Sequence, residues 1–253
     1  MHPIKDFPLL VFVFSLLVLW LSANLGAFFC QKIRPLREEE REDFGVVRGT
    51  TLTLLGLLIG FTFSMAISRY DQRKDDEARE ANAIGTEYSR ADLLPDAAAA
   101  RVRGLMREYL DQRISFYETR DERELERVSA STTQLQTELW TAVRNPTDAR
   151  PTALTGLVVS GMNDMLNSQE YAEAAWLNRI PVEAWCLLAL IAVGSNLLIG
   201  YGAREKNRLL FLVLPLAVSI SFFLVADIDS PRRGLISVEP QNLLSLSHVM
   251  HGQ

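Results

Sequence analysis

The chain has 253 residues, 48% of them hydrophobic, with a formal net charge of −5, 2 cysteines and 3 histidines. Mixed charge signs and an acidic balance exclude a basic nucleic-acid footprint. Cys30 and Cys186 both fall in or at the end of apolar runs, and His2, His248 and His251 lie near the termini, so neither a disulfide framework nor a metal site is indicated.

In chain order, residues 8–30 form the first uncharged apolar run, PLLVFVFSLLVLWLSANLGAFFC. Its n-region offers only Lys5 beside Asp6, and no small-x-small cleavage site follows, so it reads as an uncleaved helix rather than a secretory signal. A second uncharged run covers 50–68, a third 184–203 and a fourth 209–226. Each has the roughly 17–25 apolar residues that an α-helix needs to cross a hydrocarbon core of ~30 Å. After Ser68 the second run meets no stop signal, and RYDQRKDDEAREANAIGTEYSRADLL keeps helix-favouring residues up to Pro95. A single helix from Thr50 to Leu94 is therefore expected, a stalk that the following helices cover through Ala81, Ile84, Tyr88 and Ala91.

Between the second and third runs the chain is charged and rich in helix formers. Asp96 is placed to cap a helix whose stripe is Val102, Met106, Leu110, Ile114 and Tyr117. A second helix after Asp121 has the stripe Leu125, Val128, Thr132, Leu135, Leu139 and Val143, and Asn145-Pro146-Thr147-Asp148 is expected to break it. A third runs from about Thr152 to Leu177, with Leu154, Leu157, Val158, Gly161, Met165, Ser168 and Ala172 inward. No period-2 alternation suggests a strand.

The reading is an all-α chain: four transmembrane helices, a soluble helical bundle inserted between the second and third, and the second helix extended into a long stalk. Its segments are 1–68 (membrane helices one and two), 69–180 (soluble helical domain), 181–228 (membrane helices three and four) and 229–253 (a C-terminal extramembrane segment). Basic residues at the membrane ends orient it. The 31–48 loop carries Lys32, Arg34, Arg37, Arg41 and Arg48 against Lys5 alone across the first run, and the 203–208 turn adds Arg204, Lys206 and Arg208. That bias puts both short loops in the cytoplasm and the large helical domain outside it.

Three stretches go beyond hydropathy: GFTFSMAISRYDQRKDDEAREANAIGTEYSRADLLP (60–95), LNRIPVEAW (177–185) and ADIDSPRRGLISVEP (226–240). Thr62, Ser64 and Ser68, followed by Arg69 and Arg73 one turn apart, have the chemistry of a pore whose mouth attracts anions; equally, the hydroxyls can make helix contacts while the arginines pair with acids. Gly56 and Gly60 form a small-xxx-small pair that lets another helix approach. Asn24 and Asn196, deep in membrane runs, are expected to bond between helices, and Glu183 to favour a helix N-terminus. Asp227 and Asp229 close the fourth run, and Pro231, Arg232, Arg233 and Gly234 follow. Charge pairing of the acids with Arg232, Arg233, Arg69 or Arg73 makes an interfacial latch, a reading preferred over a catalytic carboxylate pair. No GxSxG, HExxH or Walker-type loop occurs, and no cofactor is called for.

Together these stretches resemble a bacterial membrane family described as bestrophin-like and long catalogued as a domain of unknown function. The matching residues are Glu80, Ala81, Asn82, Ile84, Gly85, Thr86, Tyr88, Arg90, Asp92, Leu93, Leu94 and Pro95, then Asp227, Asp229, Pro231 and Gly234. The resemblance implies a multi-pass protein of a bacterial inner membrane. True bestrophins are oligomeric anion channels, and the more distant likeness to them implies a homo-oligomer in the lipid bilayer that passes a small inorganic ion. A non-conducting sensor or scaffold whose helical domain docks a partner is the alternative.

Overall fold

The computed structural model describes residues 7–32, 35–149, 151–203 and 210–252. His2, Lys5, Arg34, Arg204, Lys206 and Arg208, which entered the reading above, lie outside the described residues. Eight α-helices occur among those described: α1 Pro8–Lys32, α2 Arg41–Arg90, α3 Asp96–Glu118, α4 Glu122–Ala149, α5 Ala153–Leu177, α6 Val182–Tyr201, α7 Leu210–Asp229 and α8 Gln241–His251. Four helical stretches are long and apolar enough to cross a membrane: Pro8–Cys30, Glu38–Leu93, Ala153–Tyr201 and Phe211–Asp229.

The chain divides into two compact units, Met1–Tyr70 with Arg179–Ser237, and Asp71–Asn178 with Val238–Gln253. The first holds α1, α6, α7 and the N-terminal part of α2. Leu19, Leu55, Leu188, Ala192, Val218 and Phe222 form its main core, and Ala66, Ile180, Val225 and Ile228 a second cluster. Two glycines set the contact between α1 and α6. A Cβ at Gly26 would fall on the Leu197 carbonyl, and one at Gly200 on the Ala23 carbonyl. These contacts bring the two helices backbone-close, the use of small residues expected where lipid supplies no hydrophobic drive for helix association.

The second unit holds the C-terminal part of α2 with α3, α4, α5 and α8. Val102, Met106 and Leu110 on α3, Val128, Leu139 and Val143 on α4, and Val158, Met162 and Met165 on α5 are buried. Thr152 caps α5 through reciprocal bonds with Thr155, which fixes its start where the sequence put it.

Five expectations are corrected. Helix α2 begins at Arg41, inside the stretch expected to be a loop, because Glu42 and Asp43 supply the acids that favour a helix N-terminus. Helix α4 runs through Pro146 to Ala149, one turn past the predicted break, with the Thr147 hydroxyl donating to the Val143 carbonyl at 2.8 Å. On α5 the inward face begins at Thr155, while Leu154 and Leu157 are exposed. Asn24 and Asn196 donate within their own helices, to the carbonyls of Trp20 and Ala192, both at 2.8 Å. Finally, α8 was not foreseen. Its LLSLSHVM core places Leu243 and Met250 inward, and Gly252, at φ 72°, ends it in the left-handed conformation.

Candidate functional site

The corner after α7 is built by two carboxylates that accept from the backbone. Asp227, 2% exposed, receives the N–H of Leu235 at 2.7 Å and of Ile236 at 2.9 Å, one on each oxygen. Asp229, 3% exposed, receives the N–H of Ile180 at 3.0 Å, just ahead of α6. The turn that follows them requires glycine at 234, since a Cβ there would meet the carbonyl oxygen of Asp227. The partners of the two carboxylates seen here are backbone N–H groups, which the sequence reading did not name. Arg179 stands in the same corner: burial lowers its pKa, Asp229 opposes that, and Arg233 adds to the lowering. The Arg233 guanidinium also lies over the Phe7 ring, 4.6 Å from its centre. Fixed by hydrogen bonds to the main chain, Asp227 and Asp229 hold the 230–236 turn and the α5–α6 connection in place.

Helix α2 separates the residues grouped above as an ion path. Thr62 is 6% exposed and donates to the Leu58 carbonyl at 2.8 Å, on the packed face that also carries Leu55 and Ala66. Arg69 is half-buried, one turn further along that face, and Arg73 is 2% exposed. Ser64 and Ser68 are exposed instead. Helical spacing puts Ser64 with Gly49, Thr53, Gly56 and Gly60, all exposed, on the side away from the core. No atom lies within 4 Å of a Cβ built at Gly49, Gly56 or Gly60. The Thr53 hydroxyl on this small, weakly polar face donates to the Gly49 carbonyl at 3.0 Å.

The second unit holds a buried polar network that periodicity did not reveal. Arg113, 1% exposed, is paired with Glu80, which is fully buried, and donates to Glu173 at 2.8 Å. The Tyr117 hydroxyl donates to Glu80 at 3.0 Å, and Tyr109 donates to Gln169 at 2.7 Å. For Arg113, burial opposes the charge, but Glu80, Tyr109 and Glu173 outweigh it and hold the guanidinium above its ordinary value. Glu77, 1% exposed, receives the N–H groups of Asn242 at 2.9 Å and Leu243 at 3.0 Å, and so caps the N-terminus of α8.

Glu87 differs from both. It is fully buried, yet neither carboxylate oxygen has a hydrogen-bond partner. Its carboxylate occupies the space that a side chain at residue 161 would fill, which Gly161 leaves open. Burial pushes its pKa up to about 8, Arg90 opposing and Asp164 reinforcing the rise. Of these acids only Glu80 is a position of the EAN-IGT-Y-R signature; Glu77 precedes it and Glu87 falls at an unspecified place within it, and nothing in a helical pattern distinguishes a buried glutamate from a solvated one.

A family model described as Bestrophin-like domain matches residues 9–243. The chain belongs to the bestrophin-like family. Its fold is that of a bacterial bestrophin homolog from Klebsiella pneumoniae, a crystal structure with which it shares 15% identity at a TM-score of 0.65, covering 95% of this chain and 98% of that one. A single-substitution variant of the homolog gives 14% identity and a TM-score of 0.65 over 96% and 99% of the two chains. No curated protein matches the sequence. The matched region includes Arg179, Ile180, Asp227, Asp229 and the 230–236 turn, and the whole of α2.

Proposed function

We propose that this bestrophin-like chain forms a homo-oligomeric ion channel in a bacterial inner membrane, with the exposed face of α2 lining or closing the ion path. The observation that carries this is the row Gly49, Thr53, Gly56, Gly60 and Ser64. It is small, weakly polar and uncovered by the chain's own helices, in a segment whose other exposed positions include Leu57, Phe61 and Met65. Such a face suits either close approach of a second copy or a lining that ions tolerate. Arg69 and Arg73, on the packed side, act on ions only through the field they set at the helix end. Thr62 is a packing residue. The helical bundle is inserted between the second and third spans, outside the cytoplasm, and the Asp227–Asp229 corner acts as an interfacial latch rather than a catalytic pair.

The test is reconstitution in planar bilayers with the oligomer counted by native mass spectrometry. A closed ring that conducts, with conductance lowered at least severalfold by Ser64→Leu and little changed by Thr62→Val, is the expected result. A strictly monomeric protein without conductance would refute the channel. A non-conducting protein that crosslinks a partner through residues 96–179 would replace it with the sensor or scaffold reading. Accessibility of a cysteine engineered within 120–150 tests the orientation.

A further inference from the structure

An open groove of about 350 Å³ runs between α1, α6 and α7 in the first unit. Val11, Phe14 and Val18 form its α1 wall, Trp185 and Ala189 part of its α6 wall, and Phe222 belongs to α7. The one hydroxyl in the lining, that of Ser15, is already bonded to the Phe12 carbonyl at 3.1 Å. The other polar groups of the lining are the Trp185 indole N–H, buried and without a hydrogen-bond partner, and the Cys186 thiol, so the slot is almost wholly apolar. All the lining lies within helices long and apolar enough to span a membrane, where the surrounding medium is hydrocarbon. Along α6 the wall extends from Val182 to Val193, about 16 Å at ~1.5 Å per residue. That is the depth of one leaflet of a hydrocarbon core of ~30 Å.

Among the described residues, charge gathers at one end of this groove. Phe7 lies one turn ahead of Val11, whose N–H donates to the Phe7 carbonyl at 3.1 Å, so the Phe7 ring continues the α1 wall beyond the groove. Over that ring sits the Arg233 guanidinium. The α6 wall begins at Val182, three residues after Arg179, which feels both Arg233 and Asp229. Arg232 adjoins them in sequence. Asp227 and Asp229 in this corner are buried and turned to backbone N–H groups, while Glu183, beside Val182 in the first turn of α6, is exposed. Among the described residues, three arginines thus stand with two inward-turned carboxylates and one exposed one at the mouth of an apolar slot.

We propose that the groove holds one acyl chain of an anionic phospholipid whose phosphate is bound by Arg233. The acyl chain fills the slot between α1 and α6, and the guanidinium over Phe7 meets the phosphate at headgroup depth, where planar donors favour phosphate oxygens. This site goes beyond the proposed ion path and does not depend on conductance.

The experiment is native mass spectrometry of the full chain, purified in mild detergent and exchanged with equimolar phosphatidylglycerol and phosphatidylcholine. Wild type is expected to retain phosphatidylglycerol at least threefold over phosphatidylcholine. Ala189→Phe, which fills the slot, lowers retention of both lipids. Arg233→Gln removes the preference and leaves total lipid unchanged. An unchanged preference in Arg233→Gln, or unchanged retention in Ala189→Phe, overturns the proposal. So does loss of the oligomer in Ala189→Phe at wild-type lipid retention, which would make a second copy the occupant. Thermal stabilisation by inorganic phosphate alone, equal to that by phosphatidylglycerol, would assign a free anion instead. Should a variant fail to fold, quenching of wild-type Trp185 fluorescence, taken as the difference from Trp185→Phe, decides with dibrominated lipids. Stronger quenching by phosphatidylglycerol than by phosphatidylcholine supports the site, and equal quenching overturns it.

Discussion

Glu87→Gln should stabilise the helical unit at alkaline pH and remove a pH dependence that the wild type carries. The carboxylate is buried without a hydrogen-bond partner, so its charged form has no compensation beyond the field of Arg90. Its folded pKa of about 8 lies above the ordinary glutamate value of 4.5 taken for the unfolded chain. Between those values the folded state binds the extra proton, so stability is fully present below the unfolded value and falls as pH rises towards 8. Each pH unit inside that window is worth roughly 1.4 kcal/mol at most. From pH 5 to pH 8, with residual solvation discounted, the loss is roughly 2–4 kcal/mol. Glutamine keeps the shape, carries no charge and leaves no existing bond unmade. Urea or thermal unfolding of the detergent-solubilised protein, followed by far-ultraviolet circular dichroism at pH 5, 6.5 and 8, measures the slope. The variant should match wild type at pH 5 and exceed it at pH 8. Parallel pH profiles for the two proteins would refute the reasoning, because they would mean that Glu87 is solvated or paired in the folded state.

Asp227→Asn removes a charge that accepts two backbone N–H groups and should cost roughly 1.5–3 kcal/mol, read as a lower melting temperature or loss of assembly; normal assembly with lost ion flux would instead give Asp227 a direct role in conduction. Gly234→Ala puts a Cβ on the Asp227 carbonyl oxygen and should match or exceed that loss in the same assay. Gly200→Val drives a side chain into the Ala23 backbone and should separate α1 from α6, detected as loss of a crosslink between cysteines placed at 22 and 196. Glu77→Ala leaves the α8 N–H groups of Asn242 and Leu243 without their acceptor, and hydrogen exchange over 241–251 should quicken at least tenfold while α3 and α4 stay protected.

How far the sequence could be read depended on what each helix faces. In the helical unit water and core differ in polarity, so burial follows the hydrophobic stripe. Val128, Thr132, Leu139 and Val143 were expected inward on α4 and are buried. Misreadings there came from residues with two uses: Leu154 and Leu157 are apolar but lie on the exposed side of the start of α5, and Glu80, Glu87 and Arg113 are charged but buried. The charges belong to a network or an orphan site whose partners are far away in sequence, and Arg113 and Glu80 are separated by 33 positions. Likewise α8, only 11 residues long, rests on its cap from Glu77, a contact across 165 positions that no local pattern encodes.

In the membrane unit the contrast in polarity vanishes, because lipid and core are both apolar. The phase of α2 was therefore not legible, and Thr62, Ser64 and Arg69 were grouped although Thr62 and Ser64 lie on opposite sides of the helix. What remains readable there is size. Small residues mark where backbones meet, and the chain uses them in two ways. Gly26 and Gly200 are filled by carbonyls of the neighbouring helix, whereas Gly56 and Gly60 meet nothing within 4 Å. Glycine in a helix interior costs about 1 kcal/mol relative to alanine. At positions 26 and 200 the close helix contact within the chain offsets that cost. At 56 and 60 no contact among the described residues does, which is the energetic reason to look for the missing contact in a second copy. Gly56→Leu and Gly60→Leu should accordingly leave the unfolding of the monomer unchanged and weaken the oligomer, and a ring that survives both substitutions would place the α2 face elsewhere than at a subunit contact.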